Sequence, residues 1–227
     1  MPALSFCVRA WASWIPGDGG ELSEVAALPG SLRRRVTTIG RQALGTAWGL
    51  PGAEAARLVL SSRHGEFGRT LSLLESVAAK TELSPADFTL SVHNALIGLL
   101  SIAQMNRRGH TAIAAGRESL CFALMEAVAC LAESPAEPVV LIHYDEPLPG
   151  PYATFGDPTE TPIALALALA ADGSGEKLQL SVEAGSAQGG PAASHAHNFL
   201  QFLKSGAAEV LSADVNRQWR WTRHART

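Results

Sequence analysis

The chain has 227 residues, 47% of them hydrophobic and 17% charged, which argues against extensive disorder and is enough to bury one sizeable core. A formal net charge of −3 supplies no general attraction to nucleic acid or to an anionic membrane. The most apolar stretch, Thr161 to Ala171, is too short to span a bilayer, and the N-terminus lacks the basic and apolar regions of a signal peptide.

Three cysteines, Cys7, Cys121 and Cys130, have no metal-ligand spacing, which fits a reducing cytoplasm. In chain order, Leu4 to Trp14 reads as an opening strand stopped by Ile15-Pro16-Gly17. Residues 17–30 form an acidic loop with at most one helical turn. Ser31 is placed to cap a helix through Trp48, with Val36, Ile39, Ala43, Leu44 and Ala47 near one face. Arg33, Arg34 and Arg35 at its start oppose the helix dipole unless a carboxylate or a partner meets them. Leu58 to Ser62 is a short buried strand, followed by a glycine-punctuated turn from Arg63 to Gly68. Thr70 to Lys80 is a helix with Leu71, Leu74, Val77 and Ala78 on one stripe. Ser84-Pro85 opens a loop, and Leu96 to Ile102 is a helix buried on most sides. After Arg107-Arg108-Gly109 come a strand, Thr111 to Ala115, and a tight turn, 115–119. Leu120, Leu124, Ala127, Val128 and Leu131 mark the following helix.

Pro138 to His143 is a strand, and Asp145 to Pro158 a loop rich in proline and glycine. Pro162 to Ala170 alternates large and small residues as a strand, and Leu178 to Val182 is expected to pair with it as a hairpin across Asp172-Gly173-Ser174-Gly175. Gly185 to Ser194 is a linker, and His195 to Leu211 a last helix. The tail from Arg217 to Thr227 holds four Arg and two Trp, and is expected to pack its indoles on the fold. The alternation of strands and buried helices predicts an α/β fold: a mixed, mostly parallel sheet covered by helices, with a C-terminal helix.

The turn Ala115-Gly116-Arg117-Glu118-Ser119 stands where strand-turn-helix folds mount a nucleophile, because a helix N-terminus lowers a thiol pKa or holds an oxyanion. No thiol is in the turn, and Ser119 is its one hydroxyl. A plain helix start, with Glu118 complementing the dipole, is the favoured reading over a serine nucleophile. His64 beside Glu66, and His93 before Asn94, have the residue types of acid-base groups and also of caps or lids. His143, Asp145 and Glu146 follow a strand end, where open α/β sheets place sites. His195 and His197 lie two apart on a helix and point away from each other, so no metal is expected. No dinucleotide or phosphate loop occurs, and no cofactor is expected.

Ser84-Pro85, Asn94-Ala95-Leu96-Ile97-Gly98, Arg108-Gly109 and Ala112-Ile113-Ala114-Ala115-Gly116, with the helix after them, resemble the N-terminal half of β-ketoacyl-acyl-carrier-protein synthases. The resemblance covers roughly residues 1–185 and implies half of a thiolase-like fold, with 186–227 a linker, helix and tail on the same domain. It also implies a departure. Counting from Asn94 puts the family's active cysteine at Arg117, or with one residue of slack at Glu118, and the half that supplies two catalytic histidines has no counterpart. No catalytic residue is therefore expected.

Ser62-Arg63-His64-Gly65-Glu66, Ser91-Val92-His93-Asn94-Ala95, Asp145-Glu146-Pro147-Leu148-Pro149, Phe199-Leu200-x-Phe202-Leu203 and Trp219-x-Trp221 are similar to the short chain-length-factor-type proteins of bacterial aryl polyene and xanthomonadin-like pigment clusters. That implies a cytoplasmic, non-catalytic subunit that forms a heterodimer with a complete ketosynthase and meets an acyl carrier protein through the complex. Thr111, Ala112, Ile113, Ala114 and Ala115, with His93 and Asn94, would form the partner interface, and Phe88, Leu96 and Leu99 would close the acyl tunnel. Two other readings are a stand-alone thiolase-fold hydrolase or decarboxylase using Ser119, His93 or His143, and a scaffold without acyl chemistry.

Overall fold

The computed structural model describes residues 3–17, 22–157, 160–171, 173–185, 194–214 and 216–224. The elements are β1 (Leu4–Trp14), α1 (Ser23–Ala27), α2 (Gly30–Arg33), α3 (Thr38–Trp48), β2 (Arg57–Ser61), α4 (Phe67–Ala79), α5 (Pro85–Leu90), α6 (Ala95–Ala103), β3 (His110–Ile113), α7 (Ser119–Glu133), β4 (Val139–Asp145), β5 (Ile163–Ala170), β6 (Glu176–Ala184), α8 (His195–Ser205), β7 (Glu209–Ala213) and β8 (Arg217–Arg223). Among the described residues the strands form one sheet, in the order β3-β2-β4-β5-β1-β6-β8-β7.

The mixed α/β layering is as expected, but the balance of the sheet differs. Parallel pairing is confined to β3, β2 and β4, and every other neighbour is antiparallel. The cause is β1, whose 11 residues pair antiparallel with β5 on one side and β6 on the other. β1 therefore separates the two strands expected to form a hairpin. The chain between them passes so close to β1 that a Cβ on Gly175 would lie 2.3 Å from the Val8 carbonyl oxygen, and Gly175 has φ +103°. Glycine alone meets both demands.

The alternation in β5 sets the two layers. Ile163, Leu165, Leu167 and Leu169 belong to the core on the side of α7 and α8, while Ala164, Ala166 and Ala168 belong to the core on the side of α3. Alanines there, with Ala43 and Ala47 of α3 opposite, let that helix lie close to the sheet. Phe199 and Phe202 of α8 meet the buried Trp219 and Trp221 of β8 on the first side.

Four expected boundaries move. The helix expected over 31–48 is interrupted because extended Thr37 caps α3 instead, its hydroxyl accepting from Gly40 N at 3.1 Å and donating to Glu66 Oε1 at 2.7 Å. The last helix ends at Ser205, not Leu211, because Gly206 turns left-handed at φ +69°, and Val210 and Leu211 belong to β7. The Trp/Arg tail is strand β8, paired with β6 and β7. The strand expected over Thr111 to Ala115 stops at Ile113. Most of the expected linker, residues 186–193, lies outside the described residues, as do residues 225–227 of the tail. No described helix is long and apolar enough to cross a membrane.

Candidate functional site

The elbow follows β3 as a short 3-10 turn, Gly116–Glu118, that runs directly into α7. Arg117 pairs with Asp157 and lies 3.7 Å from Asp214. Glu118 accepts from Trp219 Nε1 at 2.9 Å and pairs with Arg217. Both positions expected to replace the nucleophile thus hold charged side chains that bind other parts of the chain. The Ser119 hydroxyl is buried, donating to Gly116 O at 2.7 Å and accepting from Ala115 N at 3.0 Å, a cap that leaves no activating base beside it. Cys121 is fully buried, and burial, reinforced by the charges of Glu118 and Asp214, pushes its thiol well up. A thiol in that state is not a nucleophile.

Beside the elbow, at the C-terminal ends of parallel strands β2 and β4, lies a cavity of about 120 Å³. Its lining includes Arg63, Arg117, His143, Asp145, Glu160 and His197. His143 Nδ1 is 2.8 Å from Ser61 Oγ, and its Nε2 is 3.3 Å from Asp145 Oδ2. The other Asp145 oxygen accepts from Ser62 Oγ at 3.0 Å and from Arg63 N at 2.6 Å. Burial alone would raise the Asp145 carboxyl, but His143 and these donors outweigh it and hold it below the usual carboxylate range. The Ser61–His143–Asp145 chain is a structural network, because Ser61 has no exposed surface with which to reach a substrate.

His197 meets Ser194 Oγ at 2.7 Å and Thr161 Oγ1 at 2.9 Å, whereas His195 turns to Ser212 Oγ at 2.7 Å and lies 3.9 Å from Asp214. Burial lowers both imidazoles. Among the described residues, no three His, Cys, Asp or Glu side chains converge as a metal site. Of the cavity residues, sequence reasoning singled out Arg117, His143, Asp145 and His197 and noted the run from Ser62 to Glu66. It missed Asp157 and Glu160, whose partners are distant in the chain and carry no local pattern.

The residues expected at a partner interface gather at the free edge of β3. Thr111, Ala112 and Ile113 are half-buried within it, Ala114 and Ala115 lie just past its end, and His93 Nε2 is 3.1 Å from Ile113 O. Asn94 is exposed at the start of α6 and makes no capping bond. The packed helices on this side expose apolar side chains: Leu74 and Val77 on α4, Phe88 on α5, Ile102 at the end of α6 and Met105 beyond it. Although amphipathic, α4 buries no residue within the chain. The three expected tunnel residues have different fates. Phe88 is 68% exposed, Leu99 is half-buried, and Leu96 is 2% exposed in the core beside α3.

Residues 10–222 match the family model of the β-ketoacyl synthase N-terminal domain. No curated protein matches the chain. A structure of the ketosynthase ApeO in complex with its chain length factor ApeC, from Xenorhabdus doucetiae, contains a chain 25% identical to this one with a TM-score of 0.84, the alignment covering 97% of this chain and 100% of that one. The ishigamide ketosynthase/chain length factor aligns at 13% identity and TM-score 0.59, over 80% of this chain and 67% of that one. A complex of a type II polyketide acyl carrier protein with its ketosynthase (AntDE:AntF) aligns at 12% identity and TM-score 0.56, over 93% of this chain and 70% of that one. The last two likenesses are of fold.

Proposed function

This chain belongs to the β-ketoacyl synthase family through its N-terminal domain, and from that premise we propose that it is a chain-length-factor-like subunit, without condensing activity of its own, that pairs with a complete ketosynthase in aryl polyene-type biosynthesis. The observation that carries this reading is the elbow: Arg117 and Glu118 are held by Asp157, Arg217 and Trp219, and the Ser119 hydroxyl and Cys121 thiol in the first turn of α7 are both buried. The free edge of β3 and the exposed apolar side chains of α4, α5 and α6 support the partner role. An unpaired strand edge attracts another strand, and an obligate interface buries roughly 2,000 Å² or more. The full-length likeness to a chain from a ketosynthase–chain length factor complex supports the same reading.

Phe88 and Leu99 are the surface-reaching members of the proposed tunnel end, with Leu96 beneath them as core support. A bulky side chain closing a tunnel disfavours each further unit by ~1–3 kcal/mol. An acyl carrier protein reaches the chain through the heterodimer. The test is co-expression with a complete ketosynthase of aryl polyene type. A stable 1:1 complex is expected, with Phe88→Ala and Leu99→Ala complexes giving longer or more varied products by mass spectrometry. A lone monomer that turns over acyl thioesters and loses this on Ser119→Ala would sink the proposal.

A further inference from the structure

We propose that the groove between α2 and α6 binds a fatty carboxylate, with the alkyl chain along the groove and the head group on Arg35. The groove holds about 270 Å³, close to the roughly 300 Å³ at which ligand pockets begin. Its wall is apolar, from Pro29, Leu32, Leu99, Ile102 and Ala103, and Arg35 is the one charged side chain among the described residues that line it. Leu32 is buried, Leu99 and Ala103 are half-buried, and Ile102 is exposed, so the apolar lining runs from the core to the surface. An alkyl chain laid there removes apolar surface from water on both sides.

The charge at the rim decides the head group. Arg33, Arg34 and Arg35 follow one another at the end of α2, and none of them is in an ion pair among the described residues. Arg35 is fixed through its backbone: its N–H donates to Leu32 O at 2.9 Å, and its carbonyl accepts from the Arg69 guanidinium. A guanidinium meets a carboxylate through two parallel hydrogen bonds. Arg33 and Arg34 raise the positive potential around that point, which a cationic amphiphile would confront. Arg35 is exposed, so the ion pair forms at the surface. It adds a modest, salt-sensitive gain and selects the head group, while the chain supplies most of the affinity. The groove uses only this chain's own groups, so its occupancy is separate from the partner role.

The test is a titration of the purified full chain with octanoate, followed by two-dimensional amide NMR. Saturable shifts are expected around Leu32, Arg35, Ile102 and Ala103. Hexanoate, two methylenes shorter, is expected to bind about tenfold more weakly. Neutral 1-octanol is expected to bind about fivefold more weakly than octanoate, a preference that shrinks as salt is raised and disappears in Arg35→Ala. Ala103→Phe fills the groove and is expected to weaken octanoate and octanol alike. The ligand comparisons need no variant, and Arg35 is exposed, so the outcome does not depend on a substitution in the core. Equal binding of octanoate and octanol, a preference unchanged in Arg35→Ala, equal binding of hexanoate and octanoate, or no saturable shift would each overturn the proposal.

Discussion

Arg117 and Glu118 are adjacent, yet they tie α7 to distant segments: Arg117 to Asp157 before β5, Glu118 to Arg217 and Trp219 of β8. Arg117→Ala removes a charged hydrogen bond to Asp157 from a half-buried site. A loss of ~1–3 kcal/mol is expected in urea denaturation. His195 gives a pH-dependent case. Burial lowers its pKa, against the opposing pull of Asp214 and Glu118 and with the help of Arg117. An imidazole depressed in the fold stabilises it fully above the unfolded value of about 6.5, and the contribution fades as pH falls below that toward the folded value. The stability gap between the unaltered chain and His195→Gln is therefore expected to narrow from pH 7.5 to pH 5.5, read from denaturation midpoints at both. A constant gap would mean that only the Ser212 hydrogen bond matters.

Among the elements, β3 is the most exposed to a partner. The carbonyls of Gly109 and Ile113 accept from Leu58 and Ser62 of the β2 side, so by alternation the peptide groups of Ala112 point outward. Ala112→Pro removes an outward N–H while sparing the ladder to β2. The expected result is a chain with an unchanged circular dichroism spectrum that no longer co-purifies with the ketosynthase; an intact complex would move the interface to α4 and α5. The amphipathic pattern of α4 was legible in the sequence, but a stripe reports only that something covers it. Here no residue of α4 is buried within the chain. The loop expected before α6 also contains α5, which Ser84 caps, its Oγ accepting from Asp87 N at 3.2 Å.

For the whole molecule, the C-terminal segment extends the sheet and covers one of its faces. Trp221 is fully buried against Phe199, and Trp219 lies edge-on to Phe122 of α7. Trp221→Ala is expected to cost ~3–5 kcal/mol, measured by thermal or urea unfolding, and to loosen the elbow through β8. A much smaller loss would show that the segment is an appendage to the sheet. The sequence by itself determined the character of β1, β2, β4, β5 and α7 and the absence of a thiol at the elbow, because periodicity and residue type are local properties. It also carried the family resemblance, through short motifs in fixed order. Tertiary structure alone decided that β1 parts β5 from β6, that the tail is a strand, and that Arg63 faces Glu160 while Arg117 meets Asp157. Strand order and ion pairing depend on groups far apart in the chain. Their geometry follows from close approach, as at Gly175 against Val8, which no local pattern encodes.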